Sequence, residues 1–310
     1  MRPSPADRHA TDPGAPLRSA FAPDEAVGAG GRDGADSAAP AGYALREVRR
    51  WRGGRSEIDL DRIAEEVPVA LLYNDRPHVV MMATPRDLDD FALGFSLSEA
   101  AIAAPDELGT VATRVLLEGI ELRLRIPPAR AEALEARRRN LTGRTSCGLC
   151  GTQALEDAVR QPAAVGAGPH IDVATLQRAL AQLHDRQPLN RATGATHAAA
   201  WVRVDGAIAL LREDVGRHNA LDKLIGAMAR AGEDVQRGFL VVTSRASYEM
   251  VQKAATVGIS VLAAISAPTA LAIQLADATG LTLIGFARSE SHVVYTRPRR
   301  VAGACPENAS

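Results

Sequence analysis

The sequence predicts an α/β protein in which a largely parallel sheet carries helices on both faces, preceded by a smaller N-terminal α+β unit. Beyond residue 162, short apolar runs alternate with segments in which apolar residues recur every three or four positions. The runs are continuously apolar, which is typical of parallel strands covered on both sides. At 310 residues and 46% hydrophobic content, the chain is long enough for one large domain or two modest ones.

Composition excludes several functional classes. The 36 basic and 37 acidic residues give a net charge of −1, so the chain as a whole does not attract nucleic acid or an anionic membrane. The uncharged stretch 254–276 has the length of a membrane span, but Gly258, Ser266 and Pro268 within it predict a helix end, a strand, a turn and a helix. Three cysteines and a start without a secretory pattern favour a cytoplasmic protein with reduced thiols and no membrane partner.

The first 42 residues are predicted to be a disordered tail. They contain eleven Ala, six Gly and six Pro, and ordering such a segment costs roughly 1 to 2 kcal/mol per residue with no core to offset it.

A cluster of basic residues follows the tail and surrounds Trp51. It suits docking of an anionic cofactor or partner, although a solvated basic segment is the simpler interpretation. Its members are Arg46, Arg49, Arg50, Arg52 and Arg55.

Residues 43–139 predict the small α+β unit. Apolar residues in 67–82 flank an Asn-Asp pair at 74–75, which indicates a hairpin. A helix should open after Thr84 and Pro85, because a hydroxyl cap and early acids satisfy the exposed amides of a helix start. The stretch 111–126 alternates well enough for one or two further strands.

Residues 162–300 predict the larger α/β domain. Its elements alternate regularly, as expected for strands joined by crossover helices. We expect a hairpin at 198–211, helices at 219 onward, 247–257 and 268–278, and buried strands at 239–242, 259–265 and 281–286.

The segment Arg-Thr-Ser-Cys-Gly-Leu-Cys-Gly at 144–151 is the most informative part of the chain. Its glycines leave the thiols of Cys147 and Cys150 uncrowded, and a helix is predicted at 152–160. A helix start and nearby arginines favour the nucleophilic thiolate. The alternative is that the arginines only complement the carboxyl end of the preceding helix. They are Arg137, Arg138, Arg139 and Arg144.

Several chemistries compete for this cysteine pair. Structural zinc needs four ligands, and only scattered histidines and Cys305 remain to complete a set. A dithiol oxidoreductase places its pair directly after a strand, whereas a charged, helix-like stretch precedes this one. A zinc deaminase needs a His-x-Glu or Cys-x-Glu element before a Pro-Cys-x-x-Cys, whereas here Ser146 replaces that proline and the Cys-x-Glu at Cys305 follows the pair. A nucleophilic or sulfur-carrying cysteine fits the segment, and the residues alone leave these alternatives open.

Polar residues follow three of the predicted strands, at 243–247, 266–269 and 286–291. The carboxyl ends of parallel strands meet at one edge of a sheet, and hydroxyls and arginines beside helix starts suit a phosphate-bearing ligand there. The alternative is that these residues are ordinary helix caps. Residues 214–219 also have a functional and a structural interpretation. His218 either acts as an acid-base group or contacts an anion, or the segment is only a hairpin exit and a helix cap.

Four segments together resemble the formate dehydrogenase accessory sulfurtransferase family, FdhD. They are the cysteine segment at 144–151, Glu-Asp-Val-Gly-Arg-His-Asn-Ala-Leu-Asp-Lys at 213–223, Ser-Arg-Ala-Ser at 244–247 and Gly-Phe-Ala-Arg-Ser-Glu at 285–290. Each motif is short, but their order and spacing are specific. The resemblance runs from about residue 67 to residue 300.

The resemblance implies a sulfur carrier. Sulfane sulfur from a cysteine desulfurase would be held as a persulfide on Cys147, with Cys150 as a companion thiol. It would pass to the molybdenum cofactor, bis-molybdopterin guanine dinucleotide, which is the bound substrate, before insertion into formate dehydrogenase. The cofactor-binding segment would be Phe286, Ala287, Arg288, Ser289, Glu290 and Ser291.

The resemblance also implies an architecture: a cytidine-deaminase-like α/β domain that has lost the deaminase zinc site and holds no permanently bound metal, in a chain that forms a homodimer. The predicted organisation is a tail at 1–42, the α+β unit at 43–139, the cysteine loop and helix at 140–161, the cofactor-binding domain at 162–300 and a short tail at 301–310.

Two alternative functions stay open. One is a cofactor-escort chaperone without sulfur chemistry, and the other is a redox-sensing or zinc-binding regulatory module.

Overall fold

The computed structural model describes residues 42–142 and 161–302, with the side chains of 138–142 left aside. All of these residues belong to one compact unit. The predicted tail up to residue 41, the thiols Cys147 and Cys150, and the helix predicted at 152–160 lie outside the described residues. No helix in the described ranges has the length and hydropathy to cross a membrane.

The N-terminal part contains one antiparallel ribbon and a four-stranded sheet. Strands β1 (Tyr43–Arg52) and β2 (Arg55–Ala64) form a ribbon of their own. The sheet has the order β4-β3-β6-β5. Its strands are β3 (Val67–Tyr73), β4 (Arg76–Ala83), β5 (Val111–Val115) and β6 (Ile120–Leu124), which confirms both strand regions predicted here.

The turn between β3 and β4 has the conformation that its sequence predicts. Asn74 and Asp75 both adopt positive φ, at 50° and 66°. Asn and Asp tolerate this left-handed region better than other side chains with a Cβ, and two such residues match the twist of a two-residue hairpin. The Asn74 side chain also exchanges hydrogen bonds with the backbone of Ile126, so the turn is tied to the end of β6.

Two helices accompany the four-stranded sheet. Helix α1 (Leu88–Ser98) buries Phe91, Ala92 and Phe95 against the inward residues of β3 and β6, and α2 (Pro128–Thr142) adds Leu134 to the same apolar cluster. The predicted hydroxyl cap of α1 is wrong. Asp87 occupies the cap position without a side-chain cap bond, whereas Thr84 is fully buried and binds the α/β part of the molecule.

The larger sheet has six strands in the order β13-β12-β11-β10-β8-β9. They are β8 (His197–Arg203), β9 (Ile208–Asp214), β10 (Gly238–Val242), β11 (Val261–Ala264), β12 (Thr282–Arg288) and β13 (Ser291–Val294). Their positions confirm the predicted hairpin at 198–211 and all three buried strands.

The prediction of a largely parallel sheet needs correction. Among the six strands only β10, β11 and β12 pair in parallel, and the other three pairings are antiparallel. The cause lies in the connections. Crossover helices join β10 to β11 and β11 to β12, whereas short turns join β8 to β9 and β12 to β13, and a short turn can only return the chain antiparallel. The sheet is therefore mixed.

Helices cover both faces of this sheet, as predicted. Helices α5 (Arg217–Ala231), α6 (Tyr248–Thr256) and α7 (Ala270–Thr279) pack on one face, around Trp201, Leu240 and Leu262. The other face packs on α3 (Val173–Leu183). The sequence analysis did not foresee α3, α4 (Pro188–Thr193), or the two-stranded pairing of β7 (Ile171–Asp172) with β14 (Val301–Ala302).

The two sheets are joined where α1 crosses α5. A Cβ built on Gly94 would stand 1.7 Å from the carbonyl oxygen of Asp222, and one built on Gly226 would stand 1.9 Å from that of Asp90. The two helix backbones therefore approach within a distance that only glycine allows. This crossing fixes the N-terminal sheet on the larger one and creates a cleft beside it.

Candidate functional site

The carboxyl ends of β10, β11 and β12 meet at one edge of the six-stranded sheet, which we call the carboxyl edge. Backbone hydrogen bonds join the turns that follow these strands: the Thr269 amide donates to Ala246 at 3.0 Å, and the Phe286 amide donates to Ser266 at 3.2 Å. The predicted segments 243–247, 266–269 and 286–291 therefore lie side by side. This is the arrangement in which open α/β sheets bind ligands.

Only one of these turns carries an ordinary side-chain cap. The hydroxyl of Thr269 accepts a hydrogen bond from the amide of Ala272 and so caps α7. Ser247 occupies the cap position of α6, but its hydroxyl binds the carboxylate of Glu249 at 2.8 Å and not a backbone amide. The cap interpretation therefore accounts for the turn after β11 and not for the turn after β10.

The segment 286–291 comprises the last three residues of β12, the two turn residues that follow and the first residue of β13. Phe286 adopts a φ of 49° at a register shift between Gly285 and Arg288, and the residue is 39% exposed. A Cβ on Gly285 would stand 2.7 Å from Pro268 and 2.9 Å from Tyr295, so this glycine lets the bulge pack against its neighbours. The bulge turns Phe286 outward from an otherwise buried strand.

The remaining residues of this segment divide into one buried and four exposed side chains. Ala287 is fully buried in the apolar cluster beneath the sheet, so its side chain is not available to a ligand. Arg288, Ser289, Glu290 and Ser291 are exposed. A guanidinium, two hydroxyls and a carboxylate thus stand together beside an exposed aromatic ring.

The carboxyl edge also holds a histidine that the sequence analysis missed. His197 begins β8, which runs antiparallel to β10, so the start of β8 lies at the end of β10. Burial and the positive charge of Arg217 lower the pKa of His197 below its ordinary value. Periodicity cannot identify such a residue, because only the pairing of β8 with β10 brings it to this edge.

Beside this edge lies a cleft of about 480 Å³ between the N-terminal sheet, α2 and α6, which we call the inter-sheet cleft. Its walls combine apolar and charged side chains. The lining residues are His78, Val79, Met81, Phe95, Glu99, Leu134, Arg137, His218, Glu249, Gln252 and Lys253. The cleft therefore extends from the start of α6, next to the carboxyl edge, to the face of α2.

His218 and Glu249 face each other in this cleft. The Nε2 atom of His218 lies 3.5 Å from Oε2 of Glu249 without the geometry of a hydrogen bond. Burial first, and then the charge of Arg217, lower the pKa of His218. Burial opposes ionisation of Glu249, yet the hydrogen bond from Ser247 and the nearby positive charges lower its pKa. At neutral pH a neutral imidazole therefore stands beside a carboxylate and is able to accept a proton.

The motif at 213–223 mainly builds the scaffold of the site. Asp214 and Lys223 form a fully buried ion pair at 2.6 Å, and the ammonium of Lys223 also donates to the carbonyl of Thr84 at 2.9 Å. The carboxylate of Glu213 accepts from the amides of Leu189 and Asn190, which caps α4. These contacts fasten the start of α5 to its surroundings and leave His218 facing the cleft.

A second ion pair forms the floor of the cleft. Lys253 lies 3.0 Å from Asp222 and 2.8 Å from Glu99, and its ammonium also contacts the hydroxyl of Ser98. Burial opposes the charge on Lys253, but the two carboxylates raise its pKa. The sequence analysis did not single out Lys253 or Glu99. Lys253 and Glu99 come together only because α1, α5 and α6 meet, and no local sequence pattern predicts that contact.

No group of three or more His, Cys, Asp or Glu side chains within 42–142 and 161–302 is arranged to hold a metal ion. The candidate thiols Cys147 and Cys150 lie outside these ranges. The described site therefore consists of the carboxyl edge and the inter-sheet cleft.

Comparison with known proteins decides the family. The FdhD/NarQ family model matches residues 64–302. The chain belongs to the FdhD/NarQ family. It is 58% identical over 260 residues to the sulfur carrier protein FdhD of Xanthomonas campestris pv. campestris (strain B100), covering 84% of this chain and 92% of that relative. It is 52% identical over 267 residues to the sulfur carrier protein FdhD of Cupriavidus necator, covering 86% and 93%.

A solved structure supports the fold of this family. A crystal structure described as a formate dehydrogenase accessory protein from Desulfotalea psychrophila matches with a TM-score of 0.65 at 23% identity. The match covers 84% of this chain and 99% of that one. The two chains therefore share the same overall fold. The cytidine-deaminase-like arrangement stays a prediction.

Proposed function

We propose that this chain is a sulfurtransferase that carries sulfane sulfur as a persulfide on Cys147. The sulfur comes from a cysteine desulfurase and goes to bis-molybdopterin guanine dinucleotide before this cofactor enters formate dehydrogenase. The observation that carries the proposal is the 58% identity to a sulfur carrier protein across 92% of that relative's length. The exchange takes place in the cytoplasm, where thiols stay reduced.

The loading step is a thiol exchange that needs no further oxidant. The thiolate of Cys147 attacks the terminal sulfur of the desulfurase persulfide, a new S–S bond forms on Cys147, and the desulfurase cysteine leaves as a thiolate. The proton of the Cys147 thiol goes to a base and then to the leaving thiolate. Cys147 follows the last residue of α2 by five positions, which span at most about 17 Å. Arg137 of α2 already lines the inter-sheet cleft, which supports this cleft as the place of exchange.

The carboxyl edge supports binding of the nucleotide part of the cofactor. Arg288 can donate two hydrogen bonds to a phosphate or a guanine edge, and Ser289 and Ser291 add hydroxyls. Glu290 can accept from a guanine amino group, and Phe286 offers an aromatic face. Ala287 contributes through its backbone alone because its side chain is buried. Arg217, whose charge lowers the pKa of His197, extends the positive character of the edge toward the cleft.

The sulfur carrier assignment is tested by intact mass spectrometry. The full chain is incubated with a cysteine desulfurase and cysteine, and we expect the mass of one additional sulfur atom, removable by a thiol reductant. Cys147→Ala should abolish the gain, whereas Cys305→Ala, the matched control, should keep it. Full loading of Cys147→Ala, or stoichiometric zinc in the purified chain, would contradict the proposal.

The cofactor site is tested by calorimetry with GDP as a fragment of the cofactor. Arg288→Ala removes a charge-assisted contact worth on the order of 1.5 to 3 kcal/mol, so affinity should fall about tenfold or more. The control is Arg76→Ala, which removes an exposed arginine at the start of β4. Sulfur loading on Cys147 should survive both changes. A chain that binds GDP but never loads sulfur would instead be an escort chaperone, and unchanged affinity in Arg288→Ala would exclude this edge as the site.

A further inference from the structure

The carboxyl-terminal ends of α1, α5 and α6 enclose a second cleft, of about 470 Å³, which we call the apolar cleft. Buried apolar residues form its floor and partly exposed ones form its rim. They are Ile102, Ile225 and Met228 on the floor and Leu97, Val235 and Val257 on the rim. Among the described lining residues only Glu233 carries a charge, and its carboxylate is already paired with Arg203. The cleft therefore suits an apolar ligand rather than a charged one.

The chain leaves the described residues next to this cleft. Helix α2 ends at Thr142, and the guanidinium of Arg137, in the same helix, donates to the carbonyl of Ala100 at 2.9 Å. Ala100 lines the apolar cleft. The last turns of α2 are therefore attached to the cleft wall, five residues before this described range stops.

The chain also returns next to this cleft. The side chain of Gln236 accepts from the amide of Gly168 at 2.9 Å and donates to the carbonyl of Gly258 at 3.2 Å. Gln236 and Gly258 directly follow Val235 and Val257, the two valines of the rim. The described chain resumes at residue 161, seven positions before Gly168. Both ends of the segment 143–160 therefore border the cleft.

The segment between these ends has a part whose chemistry matches the cleft. The helix predicted at 152–160 would place Leu155, Ala158 and Val159 on one face. Polar residues recur at i, i+3, i+4 and i+7 on the other face: Gln153, Glu156, Asp157 and Arg160. A helix of this length is unstable by itself in water, so its apolar face must pack on something if the helix is to form.

We propose that residues 152–160 dock as a helix in the apolar cleft of the same chain, with Leu155 and Val159 packed between the ends of α1, α5 and α6. Chain length permits this placement. The ten residue steps from Thr142 to Thr152 span at most about 36 Å. The docked helix would be about 13 Å long. Docking of this kind requires no sulfur chemistry, so it is independent of the function proposed above.

Docking would give the cysteine segment two fixed ends. Helix α2 holds the chain up to Thr142, and the docked helix would hold it from Thr152 onward. Cys147 lies five positions from each of these anchors, so its Cα would stay within about 17 Å of both. The apolar cleft would therefore act as a positioning site for the thiols, although it contains none of the groups that react with them.

Hydrogen–deuterium exchange of the full chain, followed by mass spectrometry, tests the proposal. The amides of 152–160 should exchange at least about tenfold more slowly than in an unfolded chain. Leu155→Ala/Val159→Ala should lower this protection about tenfold or more, because it removes the buried apolar groups. Alanine has the highest helix propensity, so a helix that formed without docking would instead become more protected. Gln153→Ala/Glu156→Ala, the matched control on the polar face, should keep the protection.

Variants of the cleft test the same contact from the other side. Val235→Glu places a charge on the apolar rim and should also lower the protection of 152–160, by about tenfold. Val204→Glu, the matched control, changes an exposed valine in the β8–β9 turn and should leave the protection unchanged. Circular dichroism verifies that each variant is folded.

Free exchange of 152–160 in the natural chain would overturn the proposal, as would equal effects of Val235→Glu and Val204→Glu. Protection that disappears on dilution would also overturn it, because a second copy would then supply the helix or its cover. So would slow exchange around Val235 that is lost when residues 1–41 are deleted, while 152–160 exchange freely, since the tail would then occupy the cleft. None of these measurements uses a desulfurase, so a chain that fails to load sulfur can still show the docking.

Discussion

The two lysines of this chain, Lys223 and Lys253, are both buried and both paired with an aspartate, yet they belong to different parts of the molecule. Lys223 and its partner Asp214 are fully buried. Besides the lysine, three donors bind the carboxylate of Asp214: the amides of Thr84 and Gly216 and the side chain of Asn219. Lys223 also donates to the carbonyl of Thr84. Lys253 is 7% exposed and lines the inter-sheet cleft, where it also meets Glu99 and the ring of Phe95.

The difference shows how one helix serves two purposes. Asp222 and Lys223 are neighbours in α5, but adjacent helix positions point about 100° apart, so they join different ion pairs. Lys223 faces the sealed junction with Thr84, and Asp222 faces α1 and α6. We call Asp214–Lys223 the sealed pair and Asp222–Lys253 the open pair. The sealed pair holds the two sheets together, whereas the open pair places a positive charge in the inter-sheet cleft.

The sealed pair should give the largest effect. Lys223→Met leaves the carboxylate of Asp214 buried without its counter-charge, so we expect a loss of about 3 to 5 kcal/mol in the free energy of unfolding. Urea unfolding followed by circular dichroism measures this loss. Adding Asp214→Asn, which removes the buried charge, should recover part of it. A loss below about 1 kcal/mol would mean that water reaches the pair after all.

The open pair should give a smaller effect on stability. Lys253→Met removes the counter-charge of Asp222, whose side chain is fully buried. Burial raises the pKa of Asp222, so its carboxyl takes up a proton more readily once the lysine is gone, and Ser98 still binds it. We expect a loss of about 1 to 3 kcal/mol in the same unfolding experiment. Sulfur loading of the folded variant should also slow, because the cleft loses a positive charge. Equal losses for Lys253→Met and Lys223→Met would remove the distinction between sealed and open pairs.

The smallest expected effect is the pH dependence that His218 gives the cleft. Its pKa in the folded chain lies below the ordinary value of 6.5, so the unfolded chain binds a proton first as the pH falls. Stability contributed by the neutral imidazole is present above pH 6.5 and is lost as the pH falls from 6.5 toward the folded pKa. His218→Gln should flatten the dependence of the urea midpoint between pH 5 and about 7. The exposed His170→Gln is the control, and an unchanged slope for His218→Gln would contradict the assignment.

Local sequence patterns predicted most of the elements near the carboxyl edge. Apolar runs located β10, β11 and β12, and polar residues after each run marked the edge where they meet. Helix α3 was missed although its apolar residues are periodic, and the β1–β2 ribbon was read as a basic segment. The exposed apolar residues of that ribbon alternate with charged residues, and this alternation is typical of a strand. The many arginines favour the interpretation as a basic segment instead.

Local sequence patterns establish most of the secondary structure, the family resemblance and the candidate thiols. Turn residues, apolar periods and short motifs act over a few positions, so they predict local structure wherever tertiary contacts do not override them. Only the tertiary structure decided that the sheet is mixed, that Thr84 binds Asp214 rather than capping α1, and that His218 faces Glu249 across a cleft. These facts depend on contacts between separate elements of the chain, such as the crossing at Gly94 and Gly226, whose missing side chains let two helix backbones approach. Strand direction, burial and the pKa of a histidine are properties of such contacts, and no short stretch of sequence contains them.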